Sequence, residues 1–199
     1  MKTLTLLFTF LISFPLALSA QSAEDVLQKV SVAMTAEQWE QAVSLFRQAI
    51  QLNADKSEMF YWTSVDKASS VGTKMAQELA FHYKTMRNYD KAYLFCKEVL
   101  QKNPNDVKWL AACAETEVCR GKEKDALLTY QKVLSLDVNH LAANIFVGNY
   151  YYLMAEQEKQ QLMRDYKKIS SPTRMQYARY KDGLSKLMTD GYGKAKEYL

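Results

Sequence analysis

Apolar residues recur at offsets of three and four along most of this chain, the period that gathers side chains on one face of an α-helix. The stretch Asn88–Asn105 shows the figure best. An aromatic at Tyr89 is followed by Ala92, then by an apolar ridge of Cys96, Val99 and Leu100, then by a turn with proline at Pro104. The figure returns with Ala126, Tyr130 and Val133, and upstream with Trp39, Ala42, Phe46 and Ala49. A weaker copy is Leu162, Tyr166 and Ile169, and a last one Tyr192, Ala195 and Leu199. The marks stand near 42, 92, 126, 162 and 195, with spacings of 50, 34, 36 and 33 residues. Self-similarity at this period predicts stacked pairs of helices. Alanine at a crossing lets a neighbouring helix approach, and the aromatic fills the space beside it. A small residue twelve positions earlier (Ala80 and Gly183, and Gly148 counted from 160, where the slipped fourth mark is expected) predicts close contact inside each pair. Few glycines and prolines reinforce an all-α chain.

Helix boundaries follow from local chemistry. Ser22 ahead of Ala23–Glu24–Asp25 predicts a capped first helix with carboxylates at its positive end. Pro104 ends one helix, and Asp106 is placed to cap the next. Ser170–Ser171–Pro172–Thr173 repeats that logic, and Gly121 predicts the turn within the third pair. Residues 57–72 depart from the period. Met59, Phe60, Tyr61 and Trp62 are too apolar for a linker, so an extended or lengthened helix packed on the repeats is expected, or a specialised ligand lip, with Gly72 ending the insert.

The period and its marks resemble the tetratricopeptide repeat (TPR). The TPR pattern has small residues at its eighth and twentieth positions, large apolar residues at the eleventh and twenty-fourth, and often proline at the thirty-second. The likeness covers residues 23–56 and 73–199. It implies a right-handed α-solenoid of antiparallel helix hairpins with about five repeats, and a concave groove lined by the first helix of each pair. Groove positions carried over from the pattern are Lys74, Gln77, Phe81 and Lys84 in repeat two. Repeat three gives Lys108, Ala111, Glu115 and Val118; repeat four gives Ala142, Ile145, Asn149 and Tyr152; repeat five adds Tyr177 and Tyr180. Family members bind extended peptides or helices there. Leu27 and Ser31 stand where some members clamp a peptide carboxylate with Lys and Asn, so that clamp is not implied.

Composition changes the picture at the two ends. Residues 1–20 carry Lys2, an apolar run from Leu4 to Leu18 and small residues at the close, which reads as a secretory signal peptide cleaved after Ala20 or Ser19. The expected product is a soluble periplasmic or secreted domain, 21–199, with no later stretch long enough to span a membrane. From Lys159 onward ten basic residues face four acids, a local +6, whereas residues 21–158 sum to −3. That end suits either a solvated helix surface or docking on anionic groups. Nothing follows the marks of the fifth repeat, so Tyr192, Ala195 and Leu199 are expected to lie open, to fray or to pair with a partner or a second copy.

Catalytic signatures are not found. His82 and His140 have no metal-ligand companions at suitable spacing, and no phosphate loop or nucleophile motif occurs. Cys96, Cys113 and Cys119 are read as buried free thiols, with a Cys96–Cys113 bridge as the alternative. No cofactor, metal or nucleic-acid partner is implied. The expected function is an exported scaffold for a protein or peptide partner. The alternative is a carbohydrate or lipid-headgroup module using Trp62 and Tyr150–Tyr152.

Overall fold

The computed structural model describes residues 22–199, and the signal-peptide reading of residues 1–20 falls outside them. Every regular element among the described residues is helical. The chain divides into two compact units, one running to Ser57 and the other from Glu58 to Leu199.

The first unit holds one hairpin, α1 (Ala23–Thr35) and α2 (Trp39–Leu52). Ser22 caps α1 in a capping box with Asp25, as the sequence predicts. Val26, Val30 and Ala33 of α1, with Ala42, Phe46 and Ala49 of α2, are all buried. At their meeting face each residue sits three or four positions from the next.

The second unit takes up the figure. Helix α3 (Ala54–Ser64) begins before its boundary, and it is followed by α4 (Ser70–Thr85), α5 (Tyr89–Lys102), α6 (Val107–Cys119) and α7 (Glu123–Leu136). Each helix from α4 to α7 packs on the next in sequence. The marks Ala92 and Ala126 are fully buried, as are Ala80 and Ala114 twelve positions earlier. The all-α architecture of antiparallel, TPR-like helix hairpins expected from the spacing is what the chain forms.

One turn serves three hairpins. Glu37, Arg87 and Gly121 all adopt left-handed backbone, with φ of 56°, 58° and 69°. In each turn two amides reach back to the carbonyls of the finished helix. The residue after the left-handed one donates to Ala33, Tyr83 and Glu117 respectively, at 2.8, 2.8 and 2.9 Å. This is the Schellman arrangement, which satisfies carbonyls that the helix end would leave unpaired.

The insert is the separate helix α3. Tyr61 is buried, with its ring edge-on to Phe95 of α5, while Trp62 stacks on the same phenylalanine at 5.5 Å. Glu58 accepts from both Tyr83 of α4 and Lys91 of α5, the lysine at 2.8 Å, which fastens α3 to that hairpin. Burial, the largest influence, favours the protonated Glu58 carboxyl. The Lys91 and Tyr83 donors outweigh it together and hold the carboxyl below its usual range. Gly72 does not end the insert. Ser69 caps α4, and Gly72 lies in its first turn, so close to the Asp66 carbonyl that a Cβ would stand 2.3 Å from the oxygen.

The C-terminal region departs most from expectation. Helix α8 (Leu141–Lys167) runs unbroken through the mark at Leu162. It is followed by α9 (Arg174–Lys186), a π-helical stretch (Leu187–Tyr192) and α10 (Gly193–Lys196). These return along α8 as one antiparallel partner, so the marks Leu162 and Ala195 belong to a single long hairpin. Gly148 pairs with the end of the chain, the Ala195 carbonyl oxygen lying 3.3 Å from where its Cβ would be. Gly183 instead meets Leu162, and Gly191 meets Ala155. Of the face marked by Tyr192, Ala195 and Leu199, the first two are therefore covered, whereas Leu199 is 71% exposed, as the sequence suggests. Ala195 is buried against α8, Tyr192 donates to Glu156, and Tyr198 stacks on Tyr151 at 6.0 Å.

Candidate functional site

The first helices of the hairpins in the second unit, α4, α6 and the start of α8, each present a stripe of residues three and four apart on the side away from their partners. On α4 the stripe is Lys74, Gln77, Phe81 and Lys84. Phe81 is 70% exposed, unusual for so large an apolar ring. Lys84 reaches across to Glu115 of α6 with a 2.6 Å ion pair that joins two stripes into one surface.

Beyond that bridge lies a depression of about 550 Å³. Its wall comprises Lys108, Ala111 and Glu115 of α6, Ala142 of α8, His140 and Tyr130. Four positions carried over from the repeat pattern, on two helices, thus meet at one place. The alanines make the floor shallow and apolar. Ile145 continues the α8 stripe one turn on and is exposed. Lys108 is exposed at the edge and enters no ion pair among the described residues.

His140 has a role the sequence reading missed. It caps α8, its Nδ1 accepting from the Ala143 amide at 3.3 Å. With Nδ1 taken up by the cap, Nε2 is the ring nitrogen left for other partners. The available signal was position: a residue with an acceptor just before an apolar-periodic run.

Other expected residues lie elsewhere. Val118 is half-buried toward the end of α6, and Asn149 is exposed farther along α8. Tyr152 packs edge-on against Tyr192 at 5.7 Å, which ties its ring to the long hairpin. Tyr177 and Tyr180 sit on α9. Tyr180 stacks on Tyr166 at 4.3 Å with the rings 10° apart, and Tyr177 leans on the same ring. Both belong to the α8–α9 hairpin and not to the surface of α4 and α6.

The thiols divide unequally. Cys96 and Cys113 are buried and free, and burial pushes each thiol up to about 12. Cys119 is exposed, contrary to the expectation that all three fill core slots. Glu117 is buried, with Oε2 lacking a hydrogen-bond partner. Nearby, the Arg120 guanidinium lies 4.4 Å over the Tyr93 ring and bonds Asp90 at 2.7 Å. No group of three or more metal-ligating side chains occurs among the described residues.

A solved structure from Bacteroides ovatus ATCC 8483, described as a protein binding protein, is 64% identical in sequence. The match covers 89% of this chain and 86% of that one, with a TM-score of 0.82. The chain belongs to the family of this Bacteroides protein. At such identity the helical architecture extends across both sequences. Two more distant solved structures, MamA and the myosin chaperone UNC-45 from C. elegans, match at 13% and 16% identity with TM-scores of 0.43 and 0.41. The MamA match covers 90% of this chain and 79% of that one, the UNC-45 match 89% and 20%. No family model and no curated protein matches the chain.

Proposed function

We propose that this family member is an exported scaffold that holds a protein or peptide partner on the surface of α4, α6 and the start of α8. The observation carrying this reading is that Lys108, Ala111, Glu115 and Ala142, from two successive first helices, line one depression. The description of the Bacteroides relative as protein-binding supports it. The chemistry suits an extended segment with a small apolar side chain on the alanine floor and an acidic one near Lys108 and His140. Phe81 and Ile145 supply apolar contact on either side. An exposed aromatic such as Phe81 carries binding energy when a partner desolvates it near the centre of the contact.

Capture from envelope extract followed by mass spectrometry tests the reading, with the parent beside Phe81→Ser and Lys108→Glu. The parent is expected to enrich a defined partner that both variants lose at least about tenfold, the scale of one well-placed contact. Equal recovery by all three removes the groove from the account. Export rests on residues 1–20. Sequencing the amino terminus of the chain isolated from cells is expected to start at Gln21 or Ala20. A chain retained in the cytoplasm with Met1 intact contradicts export.

A further inference from the structure

The long hairpin carries a feature that the groove does not use. Helix α8 has 27 residues against 13 or 14 in α5, α6 and α7, so at 1.5 Å per residue it runs roughly 20 Å farther. Its contacts to α7 fall in the first half, where Phe146 meets Tyr130 and Tyr151 meets Gln131. The second half and α9 form an arm. Helix α9 packs on α8 and the π-helical stretch and has no buried residue. The Tyr166–Tyr180 stack and the Leu162–Gly183 contact hold the two helices together.

The charge at the far end is of one sign. Residues 166–181 contain Lys167, Lys168, Arg174, Arg179 and Lys181 and no acid. Lys168 is shared with Asp165 at 2.9 Å. Among these cations stand Met175, 67% exposed, and Tyr177, 54% exposed. Ile169 lies in the connecting turn. The turn is well made, Thr173 capping α9 in a capping box with Gln176.

We propose that the tip of this arm docks on an anionic bilayer surface, its cations meeting lipid phosphates and its exposed Met and Tyr entering the headgroup layer. Arg174 and Lys181, seven positions apart, share one face of α9, and Lys167 and Lys168 stand at the end of α8 beside the same turn. A layer of mobile headgroups can bring phosphates to these exposed cations without the fixed matching carboxylates that a folded acidic partner needs. Long basic chains beside tyrosine and apolar residues are the composition that sits at a membrane–water interface. No described helix is long and apolar enough to cross a membrane, so the contact is peripheral. A docked arm would hold the groove of α4, α6 and α8 near the membrane, and the inference does not depend on what the groove binds.

The test is sedimentation of the full chain with phosphatidylcholine vesicles, with and without phosphatidylglycerol, at low and high salt. The parent is expected to bind the anionic vesicles in a salt-sensitive manner and more strongly than the neutral ones. Lys167→Glu/Arg174→Glu/Lys181→Glu is expected to lower that binding by at least about a hundredfold, since each cation near an anionic surface contributes about a fivefold effect and three are removed. Circular dichroism of the triple variant checks that its helices persist. Lys108→Glu, in the groove, is expected to bind vesicles like the parent, which separates failure of this inference from failure of the groove reading. Three results overturn the proposal. One is equal binding of the parent to neutral vesicles. Another is a folded triple variant that binds anionic vesicles as the parent does. The third is a parent that ignores vesicles and binds polyglutamate through the same cations, which assigns the arm to an acidic protein instead.

Discussion

The three matching hairpin turns allow a test in which substitutions of opposite kind move stability in opposite directions. Glu37, Arg87 and Gly121 occupy the same left-handed position, and only Gly121 has the residue suited to it. A side chain in that conformation costs roughly 1–2 kcal/mol, from the clash of Cβ with the following carbonyl. Glycine gives back about 0.5–1 kcal/mol through the greater freedom of its unfolded chain. The net preference for glycine is thus about 0.5–1 kcal/mol at each turn. At Gly121 no heavy atom lies within 4 Å of where a Cβ would stand, so a methyl group adds the backbone cost alone. Arg87→Gly is expected to raise the thermal midpoint by about 1–4 °C, and Gly121→Ala to lower it by a similar amount, given about 2–4 °C per kcal/mol for a domain of this size. The assay is thermal unfolding followed by circular dichroism. If Arg87→Gly melts at or below the parent while Gly121→Ala is neutral, the turns are not held in the shared left-handed geometry, and their common hairpin fails as an explanation of the repeat.

Further outcomes follow from packing and titration. Ala126→Arg forces a charge into a fully buried helix crossing and is expected to cost more than ~3 kcal/mol, measured by denaturant midpoint. Gly72→Ala brings a Cβ against the Asp66 carbonyl oxygen, which the Ser69 amide and hydroxyl already hold, so a loss of about 1–3 kcal/mol is expected in the same assay. Iodoacetamide on the native chain is expected to label Cys119 and spare Cys96 and Cys113 at mildly alkaline pH. The two buried thiols have native values raised from 9.0 to about 12. Their contribution is complete below pH 9 and declines as pH rises toward 12, because the unfolded chain releases those protons first. Denaturant midpoints measured across that range are expected to fall; a flat profile contradicts the burial.

The repeats were legible because their cause is local. Ala42, Ala92 and Ala126 are buried where the spacing puts them, as are Val30, Ala80 and Ala114 twelve residues earlier. A helix crossing demands a small residue at a fixed register, and the sequence displays that demand directly. The long hairpin was harder to read, since Leu162 and Ala195 keep nearly the right spacing while belonging to one pair. The signal against a turn was present: Ala155–Tyr166 has no glycine, proline, serine or asparagine and is rich in Glu and Gln, so nothing stops α8. Which Gly meets which helix depends on that continuity, and Gly183 found Leu162 because α8 reached it. The groove was partly legible for the same reason. Residues on α4, α6 and the first turns of α8 follow the period, whereas Tyr152, Tyr177 and Tyr180 follow the long hairpin. The cap at His140 and the Lys84–Glu115 bridge depend on side-chain reach between elements, which spacing within one element does not encode.

The surface of α4, α6 and α8 is tested most directly by where a partner touches. A photoreactive phenylalanine analogue placed at Ala111, on the floor of the depression, is compared with one at Leu128, exposed on α7. After irradiation in cells, Ala111 is expected to yield a discrete crosslinked protein that Lys108→Glu abolishes, and Leu128 is expected to yield none of it. The same adduct from Leu128 with nothing from Ala111 places the partner on another face and contradicts the account.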